Sequence, residues 1–241
     1  MTNPSFRVVL VLSDPDTPPG WIVRLIERIE ESGGMEVSAI VGAVSARRRQ
    51  KDNFLFRLLY RLELAAGAGT VSSPIGAAPD IPRIGLNDDE ALELVEPDVI
   101  VDLSGNHGVG ISTAVARHGV WFTDATGNVP GIAGLRPLLE GRPVSAINLF
   151  RRSQAFAMAD LIATATVNIK FIAARNEVFL EEKSVTLILR ELKRLALGMP
   201  SKKQSGTDLF VAPHVPTTIE TIGYFGRMSS ELMRRGWQKF A

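Results

Sequence analysis

The chain has 241 residues, and its 27 Lys and Arg nearly balance its 26 Asp and Glu to a net charge of +1, so composition does not favour nucleic acid or an acidic surface as a partner. The absence of cysteine excludes disulfides, zinc sites built on thiolates and a thiol nucleophile. A first strand beginning at Arg7 leaves no room for a signal peptide, and no apolar run approaches the ~20 residues of a membrane span, so we expect a cytoplasmic protein without a membrane partner.

The N-terminal part alternates between strand and helix periods. RVVLVLS (7–13) is a continuous run of β-branched residues and Leu, which predicts a strand buried on both faces of a parallel sheet. WIVRLIERIEES carries apolar residues at helical spacing, and Gly33-Gly34 predicts where that helix ends. EVSAIVGA (36–43) predicts the second strand, so the chain opens with a βαβ unit, which is right-handed by default.

Less regular segments follow. ARRRQK (46–51) is a basic turn that is either a solvated loop or a holder of a phosphate or carboxylate, and NFLFRLLYRLELAAGAG after it predicts an amphipathic helix. Residues 70–82 predict a long surface connection, and DDEALELVE predicts a short helix with its acidic residues at the N-terminus. PDVIVDLSG (97–105) predicts a strand that ends in polar and glycine residues, the kind of place where an open α/β sheet builds its site.

The next segments are shorter. We predict, in chain order, a small helix at ISTAVARH (111–118), a strand at GVWFT, a broken helical segment at GLRPLLEG (134–141), a strand at PVSAINLF, and an antiparallel strand at DLIATATVNI (160–169).

The C-terminal part changes character. A helix of about 20 residues is predicted by the apolar residues Val178, Val185, Ile188, Leu192 and Leu195, with four charged residues on its solvent side, Glu181, Glu182, Arg190 and Lys193. SKKQSGTD (201–208) predicts a flexible polar loop, and the last 30 residues show no clear period.

The order of these parts, with GLRPLLEGRPVSAINLF and LIATATVNI as its later members, resembles the formyltransferase fold of glycinamide ribonucleotide, methionyl-tRNA and sugar-nucleotide N-formyltransferases. The tail AARNEVFLEEKSVTLILRELKRL is similar to that of formyltransferase-like proteins of bacterial glycoconjugate genes. The resemblance implies an α/β fold with a Rossmann-like, mostly parallel sheet and an antiparallel later portion. It also implies a formyltransferase-like domain at 1–170 and a helical C-terminal extension at 171–241 that packs on it.

The resemblance also locates the catalytic positions. In that family an Asn and a His two residues apart follow the GVWFT-like strand, and an Asp precedes the LIATATVNI-like strand; these positions fall on Phe122, Asp124 and a residue near Ala157. The family's chemistry is attack of an amine on the formyl carbon of N10-formyltetrahydrofolate, which needs a donor for the oxyanion and a carboxylate for the proton. Phe122 can neither donate nor accept, and an ionised Asp124 would repel the oxyanion unless its pKa is raised.

Other residues are candidates to replace the lost ones. Asn106 and His107 follow the 97–105 strand at the edge of the sheet where Asp124 is also expected, so we predict Asn106, His107 and Asp124 as catalytic residues lining one cleft. The alternative is that His107 is an ordinary loop histidine and that Asp124 is an N-cap or turn residue for ATGN. We predict no metal site.

The neighbouring residues are candidates for binding. Ser104, Gly105 and Gly108 are predicted to contact the folate cofactor, because glycines let the backbone approach a ligand closely. Asn128, Arg136 and Asp102 are predicted to contact the substrate. Arg136 either holds a phosphate or carboxylate or packs on the surface, and Asp102 alternatively makes a strand-end hydrogen bond to a neighbouring loop.

Two functions follow from this resemblance. The first is a divergent formyltransferase-like transferase acting on an amino group of a small metabolite or nucleotide sugar, with N10-formyltetrahydrofolate as the implied donor. The second is a formyltransferase-fold protein without formyl transfer that serves as a ligand-binding or assembly partner in a glycoconjugate or secondary-metabolite pathway, with its long C-terminal helix as the docking surface. A homodimer is a further hypothesis.

Overall fold

The computed structural model describes residues 5–43, 54–66, 81–85, 88–105, 110–124, 134–152, 158–199, 204–208 and 216–237. Within these ranges the strands are β1 Phe6–Leu12, β2 Met35–Gly42, β3 Arg83–Gly85, β4 Val99–Asp102, β5 Val120–Thr123, β6 Val144–Arg152, β7 Met158–Asn168 and β8 Gln204–Asp208. The helices are α1 Gly20–Glu30, α2 Phe54–Ala65, α3 Asp89–Val95, α4 Leu135–Leu139, α5 Ala173–Ala196 and α6 Thr218–Trp237.

All of these strands form one sheet in the order β3-β2-β1-β4-β5-β6-β7-β8. The pairs from β3 to β5 are parallel, and β6, β7 and β8 pair antiparallel with their neighbours. This confirms the predicted mostly parallel sheet with an antiparallel later portion. Because β1, β4 and β5 are parallel, they end at the same edge of the sheet, which we call the carboxyl edge.

The central strand β1 is buried on both faces, as its continuous apolar run predicts. Val8 and Leu10 belong to the core cluster that contains the apolar residues of α1 and α5, whereas Val9 and Val11 belong to the cluster that contains Leu92 of α3. All five side chains are at most 4% exposed. Alternation along a strand therefore distinguishes an α5 face and an α3 face of the sheet.

A third apolar cluster lies between α2, α4, α6 and the start of α5 and includes Phe56, Leu138 and Tyr224. It also encloses a polar group, because Glu63 of α2 is only 6% exposed. The Glu63 carboxylate accepts the Tyr224 hydroxyl and, at 3.0 Å, the backbone N–H of Ala174 at the first turn of α5. One buried carboxylate thus joins three helices.

The predicted helix at 111–118 is wrong, because this segment forms consecutive turns. The backbone N–H groups of Arg117 and His118 donate to the carbonyls of Pro97 and Asp98 at 3.1 and 2.7 Å rather than to residues one helical turn earlier. Ile111, with Ala116, is buried in the α3-face cluster. Tertiary hydrogen bonds and packing therefore outweigh a weak local helical pattern.

The predicted loop at 201–208 is also wrong in its second half, where Gln204–Asp208 forms β8. Its backbone pairs with β7, with Asp208 opposite Met158 and Thr207 opposite Ala159. The strand lies at the edge of the sheet, where polar residues are common, so its composition carried no strand signal.

The last 30 residues, in which no period was evident, contain the helix α6. Thr221, Tyr224 and Met228 face inward at helical spacing, while Ile219 and Phe225 are among the apolar residues exposed on its other side. Apolar residues on both sides of a helix weaken the contrast on which a period is recognised.

The long helix is confirmed as α5, although one residue on its predicted solvent side behaves differently. Glu182, Arg190 and Lys193 are exposed, whereas Glu181 is half-buried and hydrogen-bonded to the Trp21 side chain of α1. The predicted extension at 171–241 is closely joined to the predicted domain at 1–170. Its helix α5 packs on one face of the sheet, and its strand β8 pairs with β7. The division at residue 170 stays a prediction. None of the described helices is long and apolar enough to cross a membrane.

Candidate functional site

Asp102 is the last residue of β4 at the carboxyl edge and is fully buried. Its Oδ1 accepts the backbone N–H of Ser104 at 2.8 Å and the Ser104 hydroxyl at 2.6 Å. These bonds fix the turn that follows β4, in which Gly105 adopts a φ of 94°. Asp102 therefore makes the strand-end hydrogen bonds that were the alternative to substrate contact.

A cation accompanies Asp102. Arg152, at the end of β6, donates to the carbonyl of Ile111 at 3.4 Å, and the negative charge of Asp102 acts on its guanidinium. Burial lowers the pKa of Arg152, and Asp102 opposes part of that shift. The Asp102 and Arg152 charges thus link the end of β4 to the end of β6. Arg152 also joins this pair to the turn segment at Ile111.

Asp124 directly follows β5, and its partner among the described residues is Asn148 on the next strand. Its Oδ1 accepts the backbone N–H of Asn148 and its Oδ2 accepts the Asn148 side-chain amide, both at 2.7 Å. The Asp124 backbone N–H donates to the Asn148 carbonyl at 3.2 Å. Asn148 Oδ1 in turn accepts the Thr164 hydroxyl of β7 at 2.9 Å. A polar chain thus crosses β5, β6 and β7 at the carboxyl edge.

Two opposing effects set the protonation of Asp124. Burial raises the pKa of the Asp124 carboxyl above its ordinary value, and the two hydrogen bonds from Asn148 oppose part of that rise. Both carboxyl oxygens face N–H donors, which is the arrangement that the ionised form requires. The group is therefore placed to accept a proton rather than to donate a hydrogen bond to an oxyanion.

Phe122, which stands where the resembling family has a polar residue, is part of the core. It is 1% exposed and stacks on Phe150 of β6 with a ring-centroid distance of 5.6 Å. It pairs with Asp102 across β4 and β5, and alternation places both of them, with Asp124, on the α3 face of the sheet. The Phe122 ring is thus level with Asp102 on the neighbouring strand, and Asp124 lies two residues further along the chain on the same face of the sheet.

The remaining predicted residues are placed differently. Asn106, His107, Gly108 and Asn128 lie outside the described residues, so the predicted cleft of Asn106, His107 and Asp124 stays a prediction. Arg136 is in the first turn of α4, where its Nε bonds Glu140 at 2.9 Å and its side chain is 58% exposed. Its guanidinium is therefore engaged on the surface of α4.

Sequence reasoning did not single out Asn148, Thr164 or Arg152. The available signal was an Asn inside PVSAINLF, because Asn is uncommon in a strand interior unless its amide has a specific partner. Arg152 had a weaker signal, since two arginines at the end of a strand usually indicate a solvated terminus. Among the residues that the structure describes, no group of three or more His, Cys, Asp or Glu is placed to hold a metal ion.

No family model matches the sequence, and no curated protein matches it at a significant level. The structure is similar to that of glycinamide ribonucleotide transformylase 1 from Symbiobacterium toebii, with a TM-score of 0.53 and 11% identity over 84% of this chain and 93% of that chain. It is also similar to the N-formyltransferase from Helicobacter canadensis in complex with folinic acid and dTDP-3-aminofucose, with a TM-score of 0.52 and 12% identity over 90% of this chain and 72% of that chain. HypX from Aquifex aeolicus gives a TM-score of 0.49 at 15% identity, over 86% of this chain and 30% of that chain.

Proposed function

Because the chain has the formyltransferase fold, we propose that it is a divergent formyltransferase-like transferase that acts on an amino group of a small metabolite or nucleotide sugar. The observation that carries this proposal is the Asp124 carboxyl. It lies at the carboxyl edge, where α/β sheets bind ligands, in a partly buried place that raises its pKa, with Asn148 holding both of its oxygens. A carboxylate so held is suited to receive a proton from an attacking amine.

The donor in this proposal is N10-formyltetrahydrofolate, which supplies a formyl carbon open to attack. As the amine nitrogen bonds to that carbon, Asp124 takes the proton that the nitrogen loses. When bound, the folate would supply the formyl group and leave with a nitrogen that needs a proton, and Asp124 would hold that proton for its return. Asn148 is the positioning residue, because its amide and backbone N–H fix the orientation of the carboxylate.

The oxyanion needs a separate donor, since both Asp124 oxygens accept hydrogen bonds from Asn148. We assign this role to Asn106 and His107, whose chain segment leaves the turn that Asp102 fixes. Ser104, Gly105 and Gly108 would contact the folate. The positive φ of Gly105 supports a close approach of the backbone to a flat ring.

The acceptor is proposed to lie against Asn128 and Arg136. Arg136 would have to exchange Glu140 for a phosphate or carboxylate of the substrate, which is possible because the ion pair is exposed and weak. Asp102 is fully buried, so we propose that it acts on the substrate indirectly, through Ser104. The complex of the Helicobacter canadensis enzyme with folinic acid and dTDP-3-aminofucose supports this choice of ligand classes.

The test is calorimetric titration of the full chain with a stable reduced folate, the 5-formyl form. We expect binding in the micromolar range, weakened roughly tenfold or more by Asp124→Asn, which turns an amide toward the Asn148 donors. Glu182→Gln is the matched control, because it also neutralises one carboxylate but on the exposed side of α5. Near-ultraviolet circular dichroism would show whether each variant retains the packing of the neighbouring Trp121.

Formyl transfer is then measured with N10-formyltetrahydrofolate and a panel of nucleotide-linked amino sugars, by the mass gained by the acceptor. Transfer that is lost in Asp124→Asn but kept in Glu182→Gln would support the proposal. Absence of folate binding in the folded wild-type chain would reject it.

One observation favours the second function, a ligand-binding or assembly partner without formyl transfer. Phe122 is packed in the core where the family has a polar catalytic residue, so that position cannot supply a donor. Folate binding without transfer to any acceptor in the panel would be the outcome that this second function predicts.

A further inference from the structure

A cavity of about 1180 Å³ lies at the edge of the sheet where β1, β2 and β5 begin, and we call it the amino-edge crevice. Its walls come from the starts of these strands, the end of β6 and the C-terminal end of α5. Asp124 follows the opposite end of β5, so the crevice is separate from the proposed site of formyl transfer. Its lining residues include Phe6, Gly34, His118, Trp121, Arg151 and Leu197.

One part of the lining is basic, because it contains Arg117, Arg151 and Lys193. The Arg117 side chain is 78% exposed, and its guanidinium lies 4.0 Å from the Asp98 carboxylate, beyond hydrogen-bond length. Arg151 directs one nitrogen to Asp160 at 2.5 Å, and a guanidinium carries five N–H donors in all. Lys193 is exposed in the last turn of α5. Each of the three cations therefore has donors to offer an anion.

The acidic residues of the crevice do not cancel this charge. Glu96 pairs with the Arg7 guanidinium at 3.2 Å, so these two lining charges offset each other. Asp98 also lines the crevice, and one of its carboxylate oxygens accepts the backbone N–H of Arg7 at 2.9 Å. The three basic residues thus outnumber the remaining carboxylate, and the crevice favours an anion over a cation.

The C-terminal end of α5 also borders the crevice, and unbonded carbonyls at a helix end repel anions. Three of these carbonyls already accept hydrogen bonds. Those of Lys193, Arg194 and Leu195 accept the backbone N–H groups of Leu197, Met199 and Gly198 at 3.1, 3.0 and 2.8 Å. This bonding weakens the repulsion that the helix end would exert on a bound anion.

Other lining residues offer apolar and flat surface. The Phe6 and His118 rings stack with their centroids 6.1 Å apart. Leu197 and Met199, directly after α5, are 73% and 45% exposed. Gly33-Gly34 carries no side chains, so a flat ring can approach the backbone there. These short surfaces suit an aromatic ring better than a long acyl chain.

We propose that the amino-edge crevice binds an organic anion of mononucleotide size, with its phosphate groups on Arg117, Arg151 and Lys193 and its ring on the apolar lining. Guanidinium groups bind phosphate oxygens through pairs of hydrogen bonds, and a lysine ammonium adds a point charge. The cavity is slightly larger than the ~300–1,000 Å³ of ordinary ligand pockets, so a mononucleotide fits within it. This ligand is distinct from the formyl donor and acceptor, which are proposed to bind at the carboxyl edge.

The first test is calorimetric titration of the full chain with ADP, without divalent cations and at constant ionic strength. We expect a wild-type dissociation constant below about 1 mM and a rise of roughly tenfold or more in Arg117→Glu and Lys193→Glu, because each variant reverses one charge of the basic lining. Lys183→Glu is the matched control, since it makes the same charge change on the exposed side of α5 outside the crevice. Inorganic pyrophosphate lacks the ring and should bind roughly tenfold more weakly than ADP. Thermal unfolding checks that the variants fold.

A second measurement locates the bound anion through His118. Burial and Arg117 lower the pKa of His118, Arg151 lowers it further, and Asp98 opposes them. An anion held by the two arginines offsets their charge, so ADP should raise the pKa of His118. A pH titration of the imidazole NMR signals with and without ADP measures this change, and the His118 signal is the one that disappears in His118→Gln.

Weaker ADP binding in Arg117→Glu and Lys193→Glu but not in Lys183→Glu, with a raised His118 pKa in the wild-type complex, would support the proposal. Absence of ADP binding by the folded wild-type chain would overturn it. Equal weakening in Lys183→Glu would also overturn it, because it would show non-specific attraction. Binding that leaves the His118 pKa unchanged would place the nucleotide elsewhere, for example at the proposed acceptor site, and would have the same consequence.

Pyrophosphate binding as tight as that of ADP would overturn the proposed contact with the ring. Folate binding is measured separately and should be unchanged in Lys193→Glu, so failure of this proposal and failure of the proposed function are distinguishable.

Discussion

Asn148 has a large effect on the state of Asp124, because it supplies two N–H donors to the carboxyl. Asn148→Ala would remove the side-chain donor and keep the backbone one, so we expect the pKa of Asp124 to rise further and the free energy of unfolding to fall by about 1 kcal/mol. Carboxyl chemical shifts followed through a pH titration would measure the first effect, and urea unfolding the second.

Thr164→Val is the control for this prediction. It removes only the outer hydrogen bond, from the Thr164 hydroxyl to Asn148, and leaves the Asp124 contacts in place. Its effect on the Asp124 pKa should be smaller than that of Asn148→Ala, and equal effects in the two variants would contradict the proposed role of the Asn148 side chain.

Gly134 is a second position where a single atom matters. It has a φ of +67°, and a β-carbon there would lie 2.7 Å from the Asn176 amide nitrogen and would overlap Leu180 Cδ1. Gly134→Ala should lower the free energy of unfolding by about 2–4 kcal/mol, from the positive φ and from the overlap together. Gly198→Ala shares the positive φ, +73°, but no neighbouring atom lies within 4 Å, so it should cost only about 1 kcal/mol. If urea unfolding gave equal losses of stability for Gly134→Ala and Gly198→Ala, the contact of Gly134 with Asn176 and Leu180 of α5 would not be tight.

At the scale of elements, α2, α5 and α6 are joined through Glu63. Tyr224 donates to Glu63, and its hydroxyl oxygen accepts the backbone N–H of Ala173 at 2.9 Å. Burial and the adjacent Glu63 raise the pKa of Tyr224 above its ordinary value, so the hydroxyl stays protonated. Tyr224→Phe would remove the hydroxyl donor of the buried Glu63 carboxylate, which keeps the backbone N–H of Ala174, and should cost about 2–3 kcal/mol in urea unfolding.

Tyr60→Phe is the comparison at this scale. Tyr60 donates to Glu177 but is only half-buried, so water can replace the lost hydrogen bond. Tyr60→Phe should therefore lower the free energy of unfolding by only about 1 kcal/mol. A Tyr60→Phe variant less stable than Tyr224→Phe would show that α2 is held mainly through Glu177.

At the scale of the whole molecule, stability should fall as pH rises above neutral. Burial and the neighbouring Glu177 raise the pKa of Glu181 to about 8, so the folded chain keeps a proton that the unfolded chain has lost. A raised carboxyl pKa means that stability falls with rising pH, from the ordinary Glu value up to about 8. Burial lowers the pKa of His118, which has the opposite sign, but that contribution is nearly complete by pH 7.

Between about pH 7 and pH 8.5 the wild-type melting temperature should therefore fall by about 2–4 °C, and Glu181→Gln should largely remove this dependence. Glu182→Gln changes the exposed neighbour, which is paired with Arg24, and should keep the wild-type slope. A calorimetric scan at several pH values measures both. If the melting temperature of Glu181→Gln fell with pH as steeply as that of the wild type, groups other than Glu181 would cause the pH dependence.

Between β1 and β7 the sequence by itself determined every strand except β3, and the antiparallel end of the sheet, because buried strands such as β1 carry continuous apolar runs and α1 carries a helical period. It also placed Asp124 just after a strand, but it placed Asp102 in the middle of the predicted 97–105 strand, whereas β4 ends at Asp102. Tertiary structure alone decided what these carboxyls contact: Ser104 for one, and Asn148, 24 residues away in the chain, for the other. It also decided β8 and the turns at 111–118, since their backbone hydrogen bonds go to distant strands. The local pattern of apolar residues indicates which face of an element is buried. Only the packed sheet brings together partners that are remote in sequence.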